Sequence, residues 1–207
     1  MNRKLVLLPA SISLLAGSAI GQVVFQTGVN YVTASRPGGV AAGDFNGDGA
    51  RDLAVTTNTP DKIGILLNNG TGVFAAPINI LVPNGAGPGA IIAADLDGDH
   101  DIDLAVAYQN FGQVQVFLNN GTGFTAGAIY AVGANPRGLL AAHLNADSAI
   151  DLAVANSDSN TVSVLLNDGS GGFTVNTFPV GTDPRSLAAG DITGDGFLNG
   201  AWHVAQP

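Results

Sequence analysis

The amino-acid sequence predicts an all-β chain built of repeated antiparallel sheets, and three observations carry that expectation. The first is a period near 50 residues. Asp52-Leu53-Ala54-Val55 returns as Asp103-Leu104-Ala105-Val106 and as Asp151-Leu152-Ala153-Val154, at spacings of 51 and 48. Leu67-Asn68-Asn69-Gly70 returns at the same spacings as Leu118-Asn119-Asn120-Gly121 and Leu166-Asn167-Asp168-Gly169, and Pro37, Pro88, Pro136 and Pro184 keep the same phase. Repeats of this length make solenoids, propellers or arrays. The second is composition: all 16 acidic residues of the 207-residue chain are aspartate, beside 29 glycines and 10 prolines. Asp, Asn and Gly are turn and cap residues, so a chain without glutamate is poorly suited to a helical bundle. The third is patterning, since short apolar stretches alternate with turn signals and no window beyond the N-terminal segment carries a helical period. An apolar fraction of 46% excludes a disordered acidic tail.

Within the first repeat the predicted strands are Gly39 to Ala42, Leu53 to Thr56, Ile63 to Leu67 and Val73 to Val82. Asn69-Gly70 and Asn120-Gly121 stand between apolar runs and predict type I′ hairpin turns. Three to four strands per 48–51 residues, with inner strands apolar on both faces, is the footprint of a propeller blade. The repeat cores run over 38–82, 89–132 and 137–181, with a partial one over 185–207. Phe25 to Val32 matches the last strand of a blade, Phe74 to Leu81, and Ser186 to Asp191 matches a first strand. The chain thus holds about 3.5 to 4 repeats, three whole and one divided between its ends, a partial propeller.

Residues 1–21 read as a secretory signal peptide. Arg3 and Lys4 precede an apolar run from Leu5 to Ile20, and Ala19 and Gly21 supply small residues before a cleavage at Gln22. The run is short for a membrane span and is interrupted by Pro9. The expectation is a secreted protein, extracellular or periplasmic, with the repeats over 22–207 and no membrane span after cleavage. A formal charge of -9 with only seven Lys and Arg argues against nucleic-acid binding. The absence of cysteine excludes disulfides and thiolate metal sites.

The chemistry-bearing residues lie in one loop per repeat, and twelve of the 16 aspartates stand in four such loops. The first is Asp44-Phe45-Asn46-Gly47-Asp48-Gly49-Ala50-Arg51-Asp52. Side-chain oxygens from Asp44, Asn46, Asp48 and Asp52 at positions 1, 3, 5 and 9, with the carbonyl of Ala50 at position 7, suit Ca2+, which takes six to eight oxygens. The second loop places Asp95, Asp97, Asp99 and Asp103 at the side-chain positions and Asp101 at the carbonyl position. Two carboxylates about 5 Å apart repel by roughly 3 kcal/mol at an effective dielectric near 20, so this loop has the most to gain from a cation. The third has His143 at position 1 and keeps Asn145, Asp147 and Asp151; imidazole is a poor calcium ligand, so the site is weaker. The fourth keeps Asp191 and Asp195, and Gly200-Ala201-Trp202-His203 replaces its Leu-Ala-Val strand. An EF-hand needs a Glu at position 12, where this chain has Val55, Val106 and Val154 in predicted strands.

The loop Asp-x-(Asp/Asn)-Gly-Asp-x-x-x-Asp-Leu-Ala-Val, followed by Leu-Asn-Asn-Gly-Thr-Gly, resembles the FG-GAP or VCBS repeat of bacterial secreted proteins and of the integrin α-subunit propeller. The resemblance covers about residues 25 to 199. It implies a seven-bladed propeller with calcium in a hairpin loop of some blades, of which this chain supplies about half a ring. The functional expectation is a non-enzymatic, calcium-binding module for adhesion or for recognition of a protein or polysaccharide, with self-association where the ring is incomplete. The alternatives are a propeller part of a secreted hydrolase or lyase, or a fragment with no autonomous function. His100, His143 and His203 have no zinc-site spacing, and there is no Gly-x-Ser-x-Gly elbow or phosphate loop.

Overall fold

The structure is a computed structural model that describes residues 5–7, 29–31, 33, 35–191 and 199–201. Most of the segment read as a signal peptide lies outside the described residues. Its Leu5–Leu7 forms strand β1, which pairs antiparallel with β2, Val29–Tyr31.

Three four-stranded antiparallel blades follow, each with its strands in chain order across the sheet. Blade one is β3 (Ser35–Gly43), β4 (Asp52–Thr59), β5 (Asp61–Leu66) and β6 (Ile78–Leu81). Blade two is β7 (Pro88–Ala94), β8 (Asp103–Tyr108), β9 (Gln113–Asn119) and β10 (Phe124–Ala131). Blade three is β11 (Pro136–Ala142), β12 (Asp151–Asn156), β13 (Thr161–Asn167) and β14 (Phe173–Pro179). A fourth unit starts with β15 (Ala188–Gly190) paired to β16 (Asn199–Ala201). Its register matches the others: Gly190 lies opposite Asn199 as Gly43 lies opposite Asp52, Ala94 opposite Asp103 and Ala142 opposite Asp151. The predicted all-β blade architecture is what the described residues show, and they contain no helix.

The core lies between the blades. Successive residues of a strand point to opposite faces, so Ala54, Ile63 and Ile65 of blade one pack with Leu104, Val106, Tyr108 and Phe117 of blade two. Ala105, Ala107, Val114 and Val116 pack from the other face of blade two against Leu152, Val154 and Leu165. This sandwiching explains why the Leu-Ala-Val strands are apolar without alternation. The first strands of adjacent blades run closest together. A Cβ on Gly39 would fall 2.7 Å from the Gly89 carbonyl oxygen, so only glycine fits there. The ladders shift register after three of the four phased prolines, between Pro37 and Val40, Pro88 and Ile91, and Pro136 and Gly138. A proline cannot donate to the ladder, and a bulge accommodates it.

Two sequence expectations are corrected. The last strand of blade one is Ile78–Leu81 rather than the whole of Val73 to Val82, with only an isolated bridge between Asn68 and Phe74. Pro77 interrupts it, whereas β10 and β14 run unbroken. The turns at Asn69-Gly70 and Asn120-Gly121 are not type I′, because positive φ occurs at Gly70, Gly72, Gly121 and Gly123 and not at either asparagine. The Asn69 amide closes a wider loop onto the Val73 carbonyl, and its side-chain oxygen accepts from the Thr71 amide and hydroxyl. This local bonding by the asparagine side chain displaces the two-residue turn.

Candidate metal centre

The aspartate loops join the first and second strand of each blade. In loop one the Asp44 carboxylate accepts the amides of Gly47 and Gly49, each at 2.8 Å, and curls the chain around itself. Asn46 Oδ1 accepts the Asp48 amide, and Asp48 Oδ1 accepts that of Ala50. Loop two repeats the pattern, with Asp95 accepting Gly98 and His100, Asp97 accepting Asp99, and Asp99 accepting Asp101. The curl demands a left-handed backbone at two places. Gly47 and Gly49 have φ of 72° and 84°, Gly98 has 82°, and His100 adopts 76° where loop one has its second glycine.

The loops differ in how they handle charge. Asn46 donates its Nδ2 to Asp48 Oδ2 at 3.0 Å, and Asn145 donates to Asp147 at 2.7 Å. Asp97 stands at the same position in loop two and has no proton to give. Ligand oxygens of Asp95, Asp97 and Asp99 lie within 4.8 Å of one another. Partial burial raises the pKa of Asp97, with the charges of Asp99 and Asp95 adding to it. Three carboxylates converging on one point, with the Asp101 carbonyl at position 7, form a hard, all-oxygen donor set that fits a divalent cation. His100 Nδ1 sits 3.5 Å from Asp95 Oδ2 on an exposed ring.

The carboxylates at position 9 occupy a different setting. Asp52, Asp103 and Asp151 are fully buried. Each spends one oxygen on the amide at position 2 of its own loop and the other on the amide of the hairpin asparagine of its own blade: Phe45 and Asn68, Leu96 and Asn119, Leu144 and Asn167. Asp103 is not part of the converging triad. Burial pushes its pKa up to about 6 against the lowering effect of its two amides, and Asp97 and Asp99 add to the rise. The Asp101 side chain faces the second hairpin, with Oδ2 3.3 Å from where a Cβ on Gly121 would stand.

Loop three has lost the curl. His143 Nδ1 bonds the Ala149 carbonyl instead of gathering two amides, and Ala146 and Ser148 stand where the left-handed residues were. Asn145, Asp147 and Asp151 keep their own bonds. In loop four Asp191 is described and exposed, while Asp195 lies outside the described residues.

The sequence reading missed Asn68, Asn119 and Asn167 as anything beyond turn residues. Asn119 Nδ2 donates to Phe45 O of the preceding blade's loop at 3.0 Å and to Ile102 O at 3.2 Å. Asn167 Nδ2 does the same to Leu96 O at 2.8 Å and Ile150 O at 2.9 Å. The hairpins of blades two and three thus hold the aspartate loop of the blade before them. The signal available was their strict phase with the aspartates.

Blades in sequential order, each with an Asp-rich loop between its first two strands, define a β-propeller-type repeat protein. The chain belongs to the FG-GAP-like repeat family, whose profile matches residues 44–106 and 143–199. Among solved structures it is similar to an auxiliary nutrient binding protein from Bacteroides ovatus ATCC 8483, at 14% identity and a TM-score of 0.56 over 79% of this chain and 45% of that one. It is equally similar to a functionally unknown protein from Desulfotomaculum acetoxidans DSM 771, at 14% identity and a TM-score of 0.56 over 80% of this chain and 50% of that one. The chain spans about half the length of these structures. No curated protein matches it. No helix among the described residues is long and apolar enough to cross a membrane.

Proposed function

We propose that this chain is an exported, non-enzymatic module in which Ca2+ held by the blade loops stabilises a propeller surface used for adhesion or for recognition of a protein or polysaccharide. The observation that carries it is the convergence of Asp95, Asp97 and Asp99 within 4.8 Å, with no donor side chain among them to offset the charge. Asp95, Asp97, Asp99 and the Asp101 carbonyl would hold the ion in loop two; Asp44, Asn46, Asp48 and the Ala50 carbonyl would hold a second in loop one. The ion supplies charge neutralisation and fixes the loop. Loop one is the weaker site because Asn46 already satisfies Asp48, and loop three is weaker still because its first ligand is an imidazole. The acidic charge directs partners away from nucleic acid, and wherever the ring is left incomplete its open edges are where a second copy would add.

The test is calorimetric titration of the chain with Ca2+, together with thermal melting. One site of about millimolar Kd or tighter is expected, as in extracellular calcium modules. At tenfold excess over Kd the stabilisation is about 1.4 kcal/mol, a rise in Tm of roughly 3 °C. Asp97→Asn with Asp99→Asn should abolish that rise while leaving the calcium-free Tm no lower. Equal calcium responses in the double variant and the parent would refute the site.

A further inference from the structure

One register position on the last strand of each blade carries a different side chain: Ile80 opposite Ile63, Tyr130 opposite Val114 and Phe178 opposite Val162. Tyr130 reaches across to the next blade. Its ring meets Phe173 edge-on at 5.4 Å, its hydroxyl donates to Gly171 O at 3.3 Å, and the Phe173 amide donates back to it at 3.2 Å. Tyr31 makes the same contact one interface earlier, with Phe74 at 5.2 Å, Gly72 O at 3.3 Å and the Phe74 amide at 3.3 Å. Twice, then, a tyrosine from an outer strand closes on the turn of the following blade.

Between blades one and two the residue is Ile80, which has neither ring nor hydroxyl. Phe45 partly compensates. It stands where loop two has Leu96 and gives Phe124 an edge-on partner at 5.4 Å. The remaining space is a cavity of about 430 Å³ lined by Ile65, Leu67, Ile78, Ile80, Thr122 and Phe124. Ile78 at its mouth is 58% exposed.

We infer that this cavity binds a tyrosine side chain presented by a partner polypeptide. The interfaces on either side show what such a site takes: a phenol ring on the edge of the turn phenylalanine, and a hydroxyl at the main chain of the turn. Phe124 and Thr122 both line the cavity and stand two residues apart in the chain, as Gly72 with Phe74 and Gly171 with Phe173 do. A polypeptide is the fitting source because both resident rings arrive from an extended strand. Here β6 is only four residues long and is the edge of its sheet, with Leu81 80% exposed, so an extended partner segment can lie beside it. The cavity borders loop one through Phe45 and Asn46, so the titrations are run in calcium-free buffer and repeated with calcium.

The experiment follows the isoleucine methyl signals of the full chain by NMR during titration with N-acetyl-tyrosinamide, N-acetyl-phenylalaninamide and p-cresol. The tyrosine amide and p-cresol are expected to shift Ile65, Ile78 and Ile80 saturably, with Kd near 1 mM, in the range for ligands of this size. The phenylalanine amide should bind roughly fivefold more weakly, for want of one hydroxyl hydrogen bond. Ile80→Tyr should fill the cavity, raise Tm and remove the shifts at Ile65 and Ile78. Equal binding of the phenylalanine and tyrosine amides, binding of p-cresol alone, shifts that avoid these isoleucines, or undiminished binding in a folded Ile80→Tyr would each overturn the inference. If that variant does not fold, the three wild-type titrations decide it.

Discussion

Asn167→Ala tests whether the blades are held by their hairpins. Asn167 is 5% exposed and makes three side-chain bonds: Nδ2 to Leu96 O at 2.8 Å and to Ile150 O at 2.9 Å, and Oδ1 from the Gly169 amide at 3.0 Å. Alanine removes all three and leaves a carbonyl on the fully buried Leu96 without this donor. At about 1 kcal/mol for each net hydrogen bond the expected loss is about 3 kcal/mol. Asn68 is the matched control: its side chain also makes three bonds, Nδ2 to Arg51 O at 3.1 Å and Oδ1 from the Gly70 and Gly72 amides at 3.1 and 3.0 Å, but all are exposed and within its own blade, where water takes over most of their worth. Asn68→Ala should therefore cost about 1 kcal/mol. In urea denaturation followed by circular dichroism, with an m-value near 2 kcal/mol/M, the midpoint should fall by about 1.5 M for Asn167→Ala and about 0.5 M for Asn68→Ala. Asn119→Ala should group with Asn167→Ala, because Asn119 is 3% exposed and makes the same bridge to Phe45 O. Equal losses for Asn68→Ala and Asn167→Ala would refute the claim that the bridge between blades is what these residues contribute.

Two further outcomes follow from the geometry. Asp103 has a folded pKa of about 6, raised from 3.8, so in calcium-free buffer its contribution is complete below pH 3.8 and is lost as pH rises through about 6. The loss should be about 2 kcal/mol after allowance for screening, seen in urea midpoints across that range; a contribution that grows with pH would contradict the burial argument. Gly39→Ala places a Cβ 2.7 Å from the Gly89 carbonyl oxygen and 3.2 Å from Ile91 Cγ2, both on the first strand of the next blade. It should destabilise by about 2 kcal/mol, whereas Gly190→Ala, where no atom of the described residues lies within 4 Å, should be close to neutral in the same assay.

The phase of the repeat made the strands and their register legible, because each Leu-Ala-Val run must bury both faces between neighbours and only one pairing does so. The loop curl was legible for the same kind of reason, since Gly47 and Gly49 mark where the backbone turns left-handed. His100 at φ 76° was not, because a histidine carries no such mark and is held there by the hydrogen bond its main-chain N–H donates to the Asp95 carboxylate. The bridges from Asn119 to Phe45 and from Asn167 to Leu96 span 74 and 71 residues, and no local pattern records a contact between repeats. The cavity beside Ile80 became visible only when the register set it against Tyr130.

The recurring Asp-Leu-Ala-Val motif joins two functions that loop three separates. That loop has lost the position-1 carboxylate and both residues of the left-handed curl, so the features specific to an ion are gone. It nevertheless keeps Asp151 fully buried, with one oxygen on the Leu144 amide and the other on that of Asn167. Were the last aspartate retained only as a ligand, burying a carboxylate in a loop this poor in ligands would be unfavourable. Its two amides belong to the start of the loop and the start of the hairpin, so it ties together two segments that would otherwise end in unpaired main chain. That tie also sets the hairpin asparagine, whose side chain then grips the loop of the blade before it. Asp52, Asp103 and Asp151 therefore act as structural pins of each blade whether or not an ion is present, and the side chains that converge are those at positions 1, 3 and 5, where loop two alone among the described loops is fully carboxylate.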